Sequence, residues 1–284
     1  MRIFILGLGA QKAGTTWLFK QLTKSDRYAK GFSKEYHLFD ALYLGSKIGA
    51  QKKVRQRIKN YSFHYEEDFV DKYEKVMSGF YDDVERYYDY FDEILGDREF
   101  TSDITPSYSG LPAERLAEIR DGFQERGINL KVVFLLREPI SRLESAIKMD
   151  LRRAGTLRST GSEILAEKIR KALNSPNDLQ RSDYRRICSQ IDSVFPADDV
   201  FYGFYETLFS STEVERLGDF LSLPTSIFDV DERINASPRL FHYSEHDLSI
   251  FRSMADERYR FVAERFQFDL NYWDQAVLAS MRRP

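Results

Sequence analysis

The segment from Gly9 to Trp17 combines small residues, one lysine and two threonines between an apolar run and a helical pattern. Small residues allow backbone N–H groups to approach an anion, and the start of a helix carries partial positive charge. Lys12 adds a full positive charge, and the hydroxyls of Thr15 and Thr16 can donate hydrogen bonds. These residue types in this order predict a site for a terminal phosphate.

The segment is not a Walker A loop. That motif places a lysine directly after its second glycine. Gly9 and Gly14 have the required separation, but Thr15 stands in the lysine position, and Lys12 lies inside the loop. No strand ending in an aspartate for magnesium is evident either. The sequence therefore argues against nucleoside triphosphate chemistry.

Apolar runs alternating with helical patterns indicate the elements that position this loop. Residues 2–8 predict a buried strand, followed by a helix over 15–23. Residues 130–136 predict a second strand, and a helix follows through Met149. A third strand is predicted at 200–204, with helices at 213–221 and 245–266. This alternation predicts an α/β fold with a central parallel sheet flanked by helices.

Composition restricts the remaining possibilities. The 284 residues are 42% hydrophobic and 31% charged, with a net charge of −3. A protein of this charge has no general attraction to nucleic acid, and no apolar run is long enough to span a membrane. Cys188 is the only cysteine, which excludes an internal disulfide framework and fits a cytoplasmic protein. Scattered histidines and one cysteine predict no metal site.

The hexapeptide Lys12 to Trp17 closely resembles the 5′-phosphosulfate loop of sulfotransferases that use 3′-phosphoadenosine 5′-phosphosulfate (PAPS). The resemblance implies a P-loop-like strand-loop-helix unit within the sulfotransferase fold. It implies PAPS as co-substrate, with Lys12 at the departing bridge oxygen. The residues expected to bind the donor's 5′-phosphosulfate group are Lys12, Ala13, Gly14, Thr15, Thr16 and Trp17.

The 3′-phosphate motif of the same enzymes is an arginine at a strand end and a serine eight positions later. Arg137 and Ser145 match this spacing. A guanidinium can pair with a phosphate through two parallel hydrogen bonds, and a serine hydroxyl is a short additional donor. Arg239 is a further candidate contact with the 3′-phosphate.

Two further segments, 34–40 and 103–108, resemble segments of the heparan sulfate 3-O-sulfotransferases and their bacterial relatives. The resemblance implies Glu35 as the general base for an acceptor hydroxyl, with His37 as the alternative. In those enzymes a lysine precedes the Thr-Pro pair and assists near the reacting centre, but this chain has Ile104. Either another cation serves, or the acceptor differs. Specificity for heparan-type sugars is therefore unsupported.

We expect residues 1–284 to form one sulfotransferase domain with helical insertions near 42–98 and 155–180. The acceptor is expected to be a saccharide or another small molecule. Six basic residues between Lys47 and Lys59 form either a solvated helical face or a contact for an anionic acceptor. Two other classes remain open: a nucleotide-dependent kinase with an atypical phosphate loop, and a nucleotide-binding module without turnover.

Overall fold

The computed structural model describes residues 2–45, 67–175, 180–232, 234 and 241–278. In this part of the chain, a parallel sheet of four strands has the order β2-β1-β3-β4. The strands are β1 (Ile3–Gly9), β2 (Phe100–Asp103), β3 (Asn129–Leu136) and β4 (Val200–Phe204). The α/β fold class, with a central parallel sheet flanked by helices, is thereby confirmed.

The α-helices account for most of the remaining described residues. They are α1 (Thr15–Leu22), α2 (Leu38–Tyr43), α3 (Glu67–Asp82), α4 (Glu85–Leu95), α5 (Ala113–Gln124), α6 (Pro139–Arg153), α7 (Ser162–Leu173), α8 (Tyr184–Val194), α9 (Ser211–Leu221), α10 (Glu245–Phe266) and α11 (Asn271–Leu278). Short 3₁₀ turns lie at Pro106–Gly110, Leu157–Ser159, Gln180–Ser182, Ala197–Asp199 and Thr225–Ile227. No helix of the described segments is long and apolar enough to cross a membrane.

Strands β1 and β3 form the centre of the sheet. Every residue of β1 is buried, as are the last five residues of β3. Their continuous apolar runs are typical of parallel strands covered on both faces. The predicted strands and helices are therefore confirmed, with end points that differ by a few residues. The largest differences are at α6, which continues to Arg153, and α9, which begins at Ser211.

Strand β2 was not predicted because its sequence carries neither an apolar run nor an alternating pattern. It ends in Asp103, so the expectation that no strand ends in an aspartate was wrong. Thr101, Ser102 and Asp103 are all fully buried. Side-chain hydrogen bonds offset the cost of burying them. The Thr101 hydroxyl donates to the Ala29 carbonyl at 2.8 Å, and the Ser102 hydroxyl lies 2.8 Å from the Tyr28 hydroxyl.

The aromatic residues of α4 belong to the hydrophobic core, as the helical pattern indicates. Tyr87 and Phe91 are fully buried, and Tyr88 is nearly so. Phe4 of β1 packs edge-to-face on Phe91 with a centroid distance of 4.8 Å. These rings fix the position of α4 against the sheet.

The strand order of the sheet has a switch point between β1 and β3. From β1 the chain crosses to β2 on one side, while β3 and β4 lie on the other side. In open parallel sheets, ligands bind outside the carboxyl ends of strands at such a switch point. The loop after β1 and the segment after β3 both begin there.

Candidate active site

A cavity of about 770 Å³ opens at the carboxyl ends of β1 and β3. This volume is within the range of small-molecule sites, about 300–1,000 Å³. Its walls include Lys12 from the loop after β1, together with Arg137 and Ser145 from the segment after β3. Glu35 lines the same cavity. The structure therefore brings the two separated basic motifs and the candidate base around one space.

The loop after β1 leads into a helix whose N-terminus is not capped by a side chain of the described residues. Gly14 is the N-cap of α1, with a φ of 90°. The first intrahelical bond runs from the Leu18 N–H to the Gly14 carbonyl. The N–H groups of Thr15, Thr16 and Trp17 precede it and are the donors that an uncapped helix offers to an anion.

Five of the six predicted loop residues line the cavity, and Ala13 does not. The Ala13 side chain is fully buried, and its N–H donates to the Ala10 carbonyl at 3.2 Å. Ala13 therefore shapes the turn. Trp17 is almost completely buried and donates from Nε1 to the Asp229 carbonyl at 3.0 Å.

Arg137 joins the two motifs directly. Its Nη1 donates to the Lys12 carbonyl oxygen at 2.6 Å, and its guanidinium lies 4.2 Å from the ring centroid of Tyr205. The stacked ring restricts the guanidinium to one plane. The Arg137 Nε is buried and has no hydrogen-bond partner among the described residues. The guanidinium therefore has donor capacity that the described residues do not use.

Ser145 lies two turns into α6, on the face that lines the cavity. The helix begins with Glu138 as its N-cap. The buried Glu138 carboxyl accepts from the Ile140 N–H at 2.8 Å and from the Ser141 N–H at 2.5 Å. The Tyr259 hydroxyl donates to the same carboxyl at 2.6 Å. These contacts fix the direction in which α6 leaves β3, and so the position of Ser145.

The cavity is strongly basic. Burial lowers the pKa of Lys12, and the positive charges of Arg137, Arg152, Arg153 and Lys34 lower it further. Clustering like charges is unfavourable unless an anion binds among them. Seven cationic and three acidic side chains of the described residues line the cavity: Lys12, Lys34, Arg137, Arg142, Arg152, Arg153, Arg181, Glu35, Asp40 and Asp150.

A chain of hydrogen-bonded side chains forms the wall beside the phosphate loop. The Glu35 carboxylate lies 2.7 Å from Lys34 Nζ and 2.9 Å from His37 Nε2. His37 Nδ1 lies 2.8 Å from the Asp40 carboxylate, which accepts from the Ser107 hydroxyl at 2.5 Å. Both candidate bases, Glu35 and His37, therefore belong to one hydrogen-bonded network, in which His37 lies between Glu35 and Asp40.

The buried Asp103 at the end of β2 is hydrogen-bonded to the backbone of this wall. Its carboxyl accepts from the hydroxyls of Tyr87 at 2.9 Å, Tyr108 at 3.0 Å and Thr105 at 2.5 Å. It also accepts from the Tyr36 N–H at 3.3 Å, between the two candidate bases. Burial raises the pKa of Asp103 to about 7.

Ile104 is fully buried. A Cβ added to Gly7 of β1 would lie only 2.5 Å from the Ile104 Cγ2, so the isoleucine packs directly against this glycine. Its N–H donates to the Lys34 carbonyl at 2.8 Å. The side chain at position 104 is therefore part of the core and faces away from the cavity, while Lys34 lines it.

Several cavity residues were missed by sequence reasoning. Asp40 and Ser107 lie inside the two segments that resemble the 3-O-sulfotransferases, so their location carried a signal that their residue types did not. Lys34 begins the segment 34–40 and carried the same signal, but no role was assigned to it. Tyr205 was assigned no role either. Among the described residues, no group of three potential ligands is arranged to hold a metal ion. The basic segment from Lys47 to Lys59 and Arg239 lie outside the described residues.

Solved structures of sulfotransferases match the chain along nearly its whole length. One from Alicyclobacillus acidocaldarius shares 19% sequence identity with a TM-score of 0.54, over 96% of this chain and 99% of that one. The sulfotransferase domain of the curacin biosynthetic pathway shares 16% identity with a TM-score of 0.47, over 94% and 98%. That of the Synechococcus PCC 7002 olefin synthase shares 15% with a TM-score of 0.46, over 95% of each chain.

No protein-family model and no curated protein matches the sequence. The likeness to the Alicyclobacillus structure concerns the fold, since the identity between the chains is low. The central parallel sheet and its flanking helices agree with that architecture. The chain has the sulfotransferase fold.

Proposed function

We propose that this protein is a sulfotransferase that moves the sulfuryl group of PAPS to the hydroxyl group of an acceptor. The observation that carries the proposal is the single cavity shared by Lys12, Arg137, Ser145 and Glu35. PAPS carries a phosphate on the 3′ position of its ribose and a phosphosulfate on the 5′ position. Two basic motifs at the ends of neighbouring strands suit such a ligand, and a carboxylate beside one of them suits an acceptor.

The residues present fit the donor. The uncapped N-terminus of α1 and Lys12 would hold the 5′-phosphosulfate, because an anion satisfies the N–H groups and offsets the clustered positive charge. Arg137 and Ser145 would hold the 3′-phosphate. The buried Arg137 Nε, which has no partner in the described part of the chain, would gain one. The sulfotransferase fold of the chain supports the proposed class of reaction.

In this mechanism the protein positions the reactants and stabilises the departing charge, as in the related chemistry of phosphoryl transfer. Glu35 accepts the proton of the acceptor hydroxyl as its oxygen attacks sulfur. The bond from sulfur to the bridge oxygen breaks, and Lys12 faces the negative charge that develops on that oxygen. General base catalysis of this kind contributes about 10²–10⁴-fold.

His37 is the alternative base. It is better suited to a supporting role, because its two ring nitrogens face the carboxylates of Glu35 and Asp40. We therefore propose that His37 orients Glu35 and that Glu35 faces the acceptor. The acceptor is proposed to be a saccharide or another small hydroxylated molecule. The narrower resemblance to the heparan sulfate 3-O-sulfotransferases is a prediction from sequence.

The first experiment measures nucleotide binding by calorimetry. The protein should bind 3′-phosphoadenosine 5′-phosphate (PAP) saturably, and Lys12→Ala should weaken binding at least tenfold. Lys20→Ala is the matched control, because Lys20 lies on α1 outside the cavity. Absence of PAP binding by the unmodified protein would refute the proposal. Tighter binding of ATP with magnesium would favour the kinase.

The second experiment tests turnover with labelled PAPS and a panel of hydroxylated acceptors. Glu35→Gln should bind PAP like the unmodified protein and lose at least 10²-fold in the transfer rate. His37→Asn should retain more activity than Glu35→Gln, and the opposite order would assign the base to His37. PAP binding without transfer to any acceptor class would favour a nucleotide-binding module.

A further inference from the structure

Lys34 occupies the junction between the two halves of the cavity. Its Nζ lies 3.2 Å from the Thr15 hydroxyl, at the start of α1, and 2.7 Å from the Glu35 carboxylate. The side chain is only 16% exposed. Its ammonium is therefore in contact with the proposed phosphate-binding loop and with the proposed base.

The backbone around Lys34 is fixed on both sides. The Lys34 carbonyl accepts from the Ile104 N–H at 2.8 Å, and the Tyr36 N–H donates to Thr105 Oγ1 at 3.1 Å. The Ser33 hydroxyl donates to the Glu35 carbonyl at 2.9 Å. These bonds hold the root of the side chain against the end of β2, so the ammonium reaches the cavity from a rigid base.

The pair with Glu35 uses only part of the hydrogen-bonding capacity of the Lys34 ammonium. Lys34 stands close enough to Lys12 for its charge to disfavour protonation of Lys12. An ammonium has three N–H donors. Two face Thr15 and Glu35, and the third has no acceptor among the described residues. A bound anion between the loop and Glu35 would satisfy this donor and offset the repulsion between the two lysines.

We propose that Lys34 is a second catalytic cation that contacts the transferred sulfuryl group. The inference rests on the proposed function. In an in-line transfer, the sulfur lies between the departing bridge oxygen, near Lys12, and the attacking oxygen, near Glu35. Lys34 touches elements on both sides of that line, so its N–H lies beside the sulfuryl oxygens.

The proposed step is balanced without a further reactant. The acceptor oxygen forms a bond to sulfur and gives its proton to Glu35, while the bond from sulfur to the bridge oxygen breaks. The electron pair of that bond goes to the 5′-phosphate of PAP. Lys34 exchanges no proton in this step. Its ammonium stabilises the charge on the three sulfuryl oxygens, and its contact with Glu35 holds that carboxylate beside the acceptor hydroxyl.

The decisive comparison is between PAPS and PAP, because only PAPS carries the sulfuryl group and no acceptor is needed. For Lys34→Gln, we expect PAP to bind within about threefold of the unmodified protein and PAPS to bind at least tenfold more weakly. With an acceptor, single-turnover transfer should fall about 10²-fold, in the range found when one donor to developing charge is removed. Lys34→Arg should recover part of both losses.

Lys30→Gln is the matched control, because Lys30 is an exposed lysine four residues away that does not line the cavity. Equal weakening of PAP and PAPS in Lys34→Gln would show a structural role and overturn the inference. Unchanged PAPS affinity with an unchanged transfer rate would overturn it as well. If Lys34→Gln does not fold, as judged by circular dichroism, the same comparison is made with Lys34→Met, which keeps most of the side-chain length but no charge. Unchanged PAPS affinity and transfer rate in Lys34→Met would overturn the inference. Failure of the unmodified protein to bind PAP refutes the sulfotransferase assignment itself and is a separate result.

Discussion

Asp103 is a buried carboxyl beneath the segment that carries Glu35. Replacing it by asparagine tests whether its burial makes the stability of the protein depend on pH. Asp103 has no exposed surface and accepts hydrogen bonds from the hydroxyls of Tyr87, Tyr108 and Thr105. Burial raises its pKa from 3.8 to about 7 despite these donors. Asparagine keeps the shape of the side chain but cannot titrate.

The sign of the effect follows from the direction of this shift. The folded protein binds the proton more tightly than the unfolded chain does. The stability from this group is therefore complete below pH 3.8, falls as the pH rises, and is lost above about pH 7. Since one pKa unit corresponds to about 1.4 kcal/mol, the loss between pH 5 and pH 8 is about 3 kcal/mol.

The assay is urea unfolding of the unmodified protein and Asp103→Asn at pH 5, 6, 7 and 8. Other titrating groups cancel in the difference between the two free energies of unfolding. Between pH 5 and pH 8, the free energy of unfolding of the unmodified protein should fall by about 3 kcal/mol relative to that of Asp103→Asn. Asp97→Asn removes an exposed acid before β2 and is the control. Parallel profiles for the unmodified protein and Asp103→Asn would refute the reasoning.

Three further predictions concern the phosphate loop, the guanidinium and the cysteine. Gly14→Ala places a Cβ at a φ of 90° and 2.7 Å from the Leu208 Cδ2, so thermal unfolding should show a loss of about 1–2 kcal/mol and calorimetry should show weaker PAP binding. Arg137→Lys loses the planar contact with Tyr205, so PAP should bind at least tenfold more weakly in calorimetry. Adenosine 5′-phosphate, which lacks the 3′-phosphate, should lose less affinity than PAP, because only the support of the Lys12 carbonyl is changed for it. Burial raises the pKa of the Cys188 thiol to about 12, so a thiol reagent at pH 8 should react with it only after unfolding.

The sequence predicted those strands and helices whose residue pattern is contained within a single segment. The apolar runs of β1 and β3 and the periodicity of α10 predicted those elements because burial of a continuous run or a single stripe requires no knowledge of the partner. The strand-loop-helix unit around Lys12 was predictable for the same reason, since its residues are consecutive. Strand β2 was missed because its polar residues are buried through contacts with distant parts of the chain.

The wall of the site depends on such distant contacts. The Tyr36 N–H and its Asp103 acceptor are 67 residues apart, and Lys34 and Thr15 are 19 apart. No local pattern encodes these pairs, because each residue type is ordinary in its own segment. The resemblance assigned a role to Glu35 but none to the adjacent Lys34, whose contact with Thr15 is evident only in the folded arrangement of both segments.

The bond from Arg137 to the Lys12 carbonyl means that the loop after β1 cannot be transplanted by itself. The turn between β1 and α1 takes part of its shape from a side chain at the end of another strand, 125 residues further along the chain. A chimera that carried residues 9–17 alone into another α/β scaffold would lack this support. Transplanting the loop would require a guanidinium at the end of the adjacent strand as well.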